Sequence, residues 1–159
     1  MKKADRVWLY RCLCLGAVIA LILWITLASR MPGKYRYIMP LFWSYRAIAR
    51  GNRKVLWEDI ANVLMFFPLG YLIPSLWRKK GPQVAAIALL FSLVIEVTQC
   101  MTLLGWFEVD DLFHNTLGGW LGCLAFQAVK RNSQSKPWYQ SVAAVALFAI
   151  LILSAICWA

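Results

Sequence analysis

Negative charge is scarce in this chain, and the residues of ordinary catalysis are scarcer. Only seven of its 159 residues are Asp or Glu and only one is His. There is no His pair, no nucleophile motif and no phosphate-binding glycine loop, which removes the usual signatures of hydrolases and nucleotide-binding enzymes. The five cysteines, Cys12, Cys14, Cys100, Cys123 and Cys157, lie in or beside apolar runs without C-x-x-C spacing. Neither a zinc site nor a disulfide framework is read from them, and no metal or cofactor is expected. No internal repeat of the transporter kind is visible either.

What the chain has in abundance is apolar surface. Apolar side chains make up 62% of the residues, against roughly 45–50% in an ordinary soluble domain, which defines a membrane protein. The net charge of +10 would suggest a nucleic-acid partner in a soluble chain. Here it reads as topology, since Lys and Arg collect in cytoplasmic loops, and no nucleic-acid partner is expected.

Five runs approach the length of about 20 apolar residues that a spanning helix needs: 7–28, 60–77, 84–104, 112–129 and 142–158. The sequence thus predicts an all-α membrane protein, a single domain over 1–159 built as a bundle of about five transmembrane helices. The uninterrupted apolar run at 12–28 exceeds a usual signal-peptide core, so an uncleaved anchor is expected. Basic residues number four at the N-terminus, three at 78–80 and three at 130–136 on one side of this bundle, against seven in 30–54 on the other. The excess puts the N-terminus in the cytoplasm and the C-terminus outside. The first loop carries "YIMPLFWSY" at 37–45, short, aromatic and interrupted by Pro40, which fits a segment lying in the membrane interface.

Under this topology Glu58, Asp59, Glu96, Glu108, Asp110 and Asp111 all fall toward the outer side. Glu96 is the most telling, because it stands inside an otherwise apolar run and an ionisable group there costs roughly 2.5 kcal/mol or more. Ser92, Glu96 and Gln99 follow at i, i+4 and i+7, sharing a helix face that must point into the bundle. On the next span Asp111, Asn115, Gly118 and Gly122 form a second stripe, and the two glycines invite close approach of another helix, within the chain or in a homo-oligomer. In the second span Asn62 sits just below the surface, and Pro68 and Gly70 are expected to break the helix. Glu108, Asp110 and Asp111 repel one another within a turn that has no Lys or Arg of its own, so the basic first loop is the expected source of a counter-charge. For Asp110 the plainer alternative is a solvated helix cap. His114 has no second His or Cys at ligand spacing.

The segments "PLFWSYRAI", "NVLMFFPLGYLIP", "SLVIEVTQ" and "FEVDDLFHNTLGGWLG" occur in an order and spacing that resemble the VanZ-like family of small bacterial membrane proteins, over about 37–129. The resemblance implies shared polar positions at Asn62, Glu96, Gln99, Asp110, Asp111 and Asn115, with Pro68, Gly70, Gly118 and Gly122 serving helix packing. Many relatives carry an arginine just before the acidic turn, where this chain reads Gly105-Trp106-Phe107. The family's namesake is associated with teicoplanin resistance. The implied function is a multi-pass protein of the bacterial cytoplasmic membrane that contacts membrane lipids. It would bind or shield a lipid-linked wall precursor or a lipoglycopeptide antibiotic at the outer leaflet, lowering teicoplanin susceptibility. The alternative is a membrane enzyme acting on a lipid or lipid-linked saccharide through the Glu96 and Asp111 carboxylates.

Overall fold

The computed structural model describes residues 3–34 and 37–132, so the span expected at 142–158 lies outside the described residues. The elements run in the order α1 (Lys3–Leu23), a π-helical turn (Trp24–Ala28), β1 (Ile38–Met39), α2 (Trp43–Ala49), α3 (Arg53–Trp77), α4 (Gly81–Thr102), β2 (Phe107–Glu108) and α5 (Val109–Asn132). The protein is an all-α membrane protein. Three helical stretches, Asp5–Ala28, Arg53–Trp77 and Gly81–Thr102, are long and apolar enough to cross a membrane. α5 has the length but carries Asp110 and Asp111 in its first turn and Lys130 and Arg131 in its last.

Helix ends follow local chemistry that the apolar runs do not report. α3 begins at Arg53, seven residues before the predicted span, because Asn52 caps it, accepting hydrogen bonds from the backbone N–H of Lys54 at 3.2 Å and Val55 at 3.4 Å. α4 stops at Thr102 because Leu103 turns left-handed (φ 63°), leaving the Gln99 carbonyl to accept from both Leu103 and Leu104. α2, at seven residues, is too short to span and packs on α3.

The expected break at Pro68 and Gly70 does not occur: α3 runs through both as one helix. Proline costs a helix one hydrogen bond, but here the segment is clamped. A Cβ on Gly118 would strike the Val63 carbonyl, one on Gly122 the Phe67 carbonyl, and one on Gly70 the Gly119 carbonyl. The glycine stripe of α5 therefore lies backbone-to-backbone against α3 across the proline. Its close-approach face is used inside the chain and is not left over for a second copy.

The core joins α1, α3, α4 and α5 through buried Ile22, Phe66, Leu72, Val84, Ile95 and Cys123, among others. Leu13, Leu90, Val94 and Phe113 are each more than half exposed, an outward apolar surface suited to hydrocarbon.

Candidate polar site at the loop end of the bundle

The end of α1, the starts of α3 and α5, the end of α4 and all of α2 meet at one end of the bundle. The six acids of interest lie there. β1 and β2 tie the first loop to the acidic turn as a two-residue parallel pair, Ile38 opposite Phe107 and Met39 opposite Glu108. Tyr37 adds an edge-to-face contact with Trp106 at 5.4 Å. Gly33 reinforces the join by donating its N–H to the Leu103 carbonyl at 2.7 Å.

The Ser92–Glu96–Gln99 face is turned inward, with exposures of 0, 2 and 2%. Its partners come from α5, from the turn before it and from the end of the first span. Ser92 Oγ accepts from Asn115 Nδ2 on α5 at 2.8 Å. Glu96 Oε2 accepts from the Glu108 backbone N–H at 2.9 Å, in the turn before α5. Gln99 Nε2 donates to the Thr26 carbonyl at 2.8 Å, in the π-helical turn that ends the first span. Wide turns of this kind interrupt the regular ladder and are frequent at functional sites. The second span contributes no hydrogen bond to this face. Asn62 is half-buried on α3 and is not joined to the others by a hydrogen bond.

Asp110 is not a solvated cap. It is 1% exposed, and its carboxylate accepts from the Phe42 N–H at 2.7 Å and from the Ser44 N–H and hydroxyl, each at 2.9 Å. These are the unpaired donors at the start of α2, so Asp110 caps a helix 66 residues away in sequence. Glu108 accepts from Trp43 Nε1 at 2.9 Å. Burial pushes the Glu108 carboxyl above its ordinary range; the Trp43 bond opposes this, the Glu58 charge adds to it, and Arg30 pulls back.

Arg30 supplies the counter-charge missing from the turn. Its guanidinium lies over Gly105, where a Cβ would meet Nη1 at 2.8 Å, and it acts electrostatically on Glu96, Glu108 and Asp111 together. Gly105 makes room for a cation delivered by the end of the first span.

A further group joins α3 to α5. Asp59, Asp111 and His114 each offer a ligand atom within 4.8 Å of the others. His114 Nδ1 is 3.5 Å from Asp59 Oδ1, while Nε2 is hydrogen-bonded to the Tyr45 hydroxyl at 3.0 Å. Partial burial, then the charges of Asp59 and Asp110, push the Tyr45 phenol up, so it stays neutral at physiological pH. Two buried side-chain atoms among the described residues lack a hydrogen-bond partner, His114 Nδ1 and Asn115 Oδ1, both on α5 within a turn of Asp111. The sequence pointed to Asp111 and Asn115 but set His114 and Asp59 aside. The available signal was the i, i+3 spacing of Asp111 and His114 on one helix; nothing in it revealed that α3 would add Asp59.

The VanZ/LLP1 family description matches residues 12–131. A curated relative, Protein VanZ of Enterococcus faecium, is 28% identical over 107 residues, covering 66% of this chain and 64% of the relative, so the chain spans just under two thirds of that protein's length. No solved structure matches. With the match extending from the first span through the acidic turn to the end of α5, the chain belongs to the VanZ/LLP1 family.

Proposed function

We propose that this protein binds or shields a lipid-linked or lipoglycopeptide ligand at the outer leaflet of the bacterial cytoplasmic membrane, and so lowers susceptibility to teicoplanin-type antibiotics. The observation that carries the reading is the make-up of the loop end. Exposed Phe42, Tyr45 and Trp57 stand beside exposed Arg46, Arg50, Arg53 and Lys54. This pairing suits headgroup depth, with rings at the interface and guanidinium or ammonium groups toward phosphate. The charge distribution supports an outward loop end, with the cytoplasmic face holding the larger basic excess. The family's association, through its namesake, with teicoplanin resistance supports the antibiotic connection. Expression in a susceptible Gram-positive host should raise teicoplanin tolerance and leave vancomycin tolerance lower or unchanged. Unchanged susceptibility to both drugs would overturn the resistance reading.

A second reading, a membrane enzyme acting on a lipid or lipid-linked saccharide through Glu96 and Asp111, is favoured by one feature: Asp111 stands beside Asp59 and His114, a set able to accept and return a proton. Glu96, bound to a backbone N–H, would act there as a positioning residue. Under this reading Asp111→Asn abolishes turnover of a lipid-linked substrate at an unchanged membrane level. Glu96→Gln instead lowers thermal stability.

A further inference from the structure

Asp59, Asp111 and His114 come from two helices whose glycine-mediated packing fixes them relative to each other, and one of their buried atoms, His114 Nδ1, is left without a hydrogen-bond partner. The His114 side chain is 8% exposed, and its Nδ1 lies among carboxylates with no hydrogen-bond partner. If Nε2–H donates to Tyr45, Nδ1 presents a lone pair to the Asp59 carboxylate 3.5 Å away, and two electron-rich atoms face each other. The surrounding charge sharpens the conflict. Among the described residues, Asp111 lies within electrostatic reach of Glu108, Glu96 and Asp59 but of one cation, Arg30, which is shared with Glu96 and Glu108. A positive ion between Nδ1 and the two carboxylates relieves both problems.

We propose that Asp59, Asp111 and His114 bind a single divalent transition-metal ion, with zinc the best fit to the donor set. One imidazole nitrogen and two carboxylate oxygens suit zinc, with bonds of roughly 2.0–2.2 Å. In a tetrahedral site such bonds put neighbouring donors roughly 3.3–3.5 Å apart, and the Nδ1 to Oδ1 distance of 3.5 Å is already that edge. The Tyr45 hydroxyl takes the outer position, accepting from Nε2–H and so holding Nδ1 in the ligating tautomer. Asp111 is only half-buried, which gives the ion a route in. Three protein ligands leave a fourth position open to water or to an anionic oxygen such as a phosphate. The site goes beyond the ligand-binding reading, and its test measures the metal directly.

The test uses the full chain, purified in nanodiscs, stripped with a chelator and titrated with Zn²⁺ alone. We expect one ion retained per chain by elemental analysis and a rise in thermal midpoint. Cobalt substitution should give a ligand-field spectrum without the thiolate charge-transfer band that binding to any of the five cysteines would produce. His114→Gln and Asp111→Asn should each abolish stoichiometric retention. Tyr45→Phe should keep one ion with an affinity lower by about 10-fold or more. The Tyr45 variant keeps all three ligands, so it remains informative where a ligand variant folds poorly. No retained metal, a thiolate band, or unchanged affinity in the Tyr45 variant together with either ligand variant would overturn the site.

Discussion

At the loop end of the bundle charge is buried and holds tertiary structure together; at the opposite end charge is solvated and holds almost none. Asp110, Glu108 and Glu96 each accept a hydrogen bond from another element, and Arg30 is laid among them. Arg78, Lys79, Lys80, Lys130 and Arg131 are exposed, and among the described residues that end is tied by a side-chain bond from Arg11 Nη1 to the Ser75 carbonyl at 2.9 Å. A carboxylate in a dry interior must find donors or a cation, whereas a Lys or Arg at a helix end reaches water by extending. The basic end leaves its charges to water, and the acidic end gathers its charges against one another and the backbone.

The sharpest way to break this contrast is to ask whether the ends face different compartments. In a cysteine-free background, cysteines at Lys34 and Val109 should react with a membrane-impermeant maleimide in whole cells, and one at Lys79 should not. Reaction at Lys79 alone would invert the orientation, and reaction at just one of the first two would separate loops that β1 and β2 join.

The next largest effect concerns the clamp that unites the ends. Gly118→Ala places a methyl against the Val63 carbonyl, and separating two backbones should cost about 3 kcal/mol, seen as loss of folded protein in a detergent thermal-shift assay. Gly16→Ala on α1, with nothing within 4 Å of the new atom, should leave stability the same or raise it by up to about 1 kcal/mol.

Asp110→Ala should come third. It strips the start of α2 of a carboxylate serving three donors, and leaving buried donors unpaired costs about 1–3 kcal/mol. Hydrogen exchange should rise across α2 while α4 stays protected; protection unchanged in α2 would show that another group caps it. The smallest effect belongs to the basic end. Arg11→Met removes one hydrogen bond and should lower stability by about 0.5–1.5 kcal/mol, and a loss as large as that of Asp110→Ala would erase the distinction between the ends.

How much of this was legible beforehand varies with the residue. The inward turn of Ser92, Glu96 and Gln99 follows from a 3.6-residue period and the intolerance of hydrocarbon for a carboxylate. The close approach through Gly118 and Gly122 follows from the absence of side chains. The continuity of α3 was not readable, because proline's local penalty is visible in sequence and the compensating contact with α5 is not. Asp110 looked like an exposed cap for the same reason: the helix it caps arrives from the other side of two spans.

By itself the sequence determined the membrane class, the apolar runs that became α1, α3 and α4, the inward face of α4, and the separation of acidic from basic ends. Hydropathy and periodicity act over neighbouring residues, so they survive in a linear reading. Tertiary structure decided the partners: Thr26 for Gln99, the Glu108 backbone for Glu96, Arg30 over Gly105, and Asp59 beside Asp111 and His114. The helical period fixes which way a side chain faces from its own axis, but not which helix stands opposite, and that is set by packing of whole surfaces after the chain has folded.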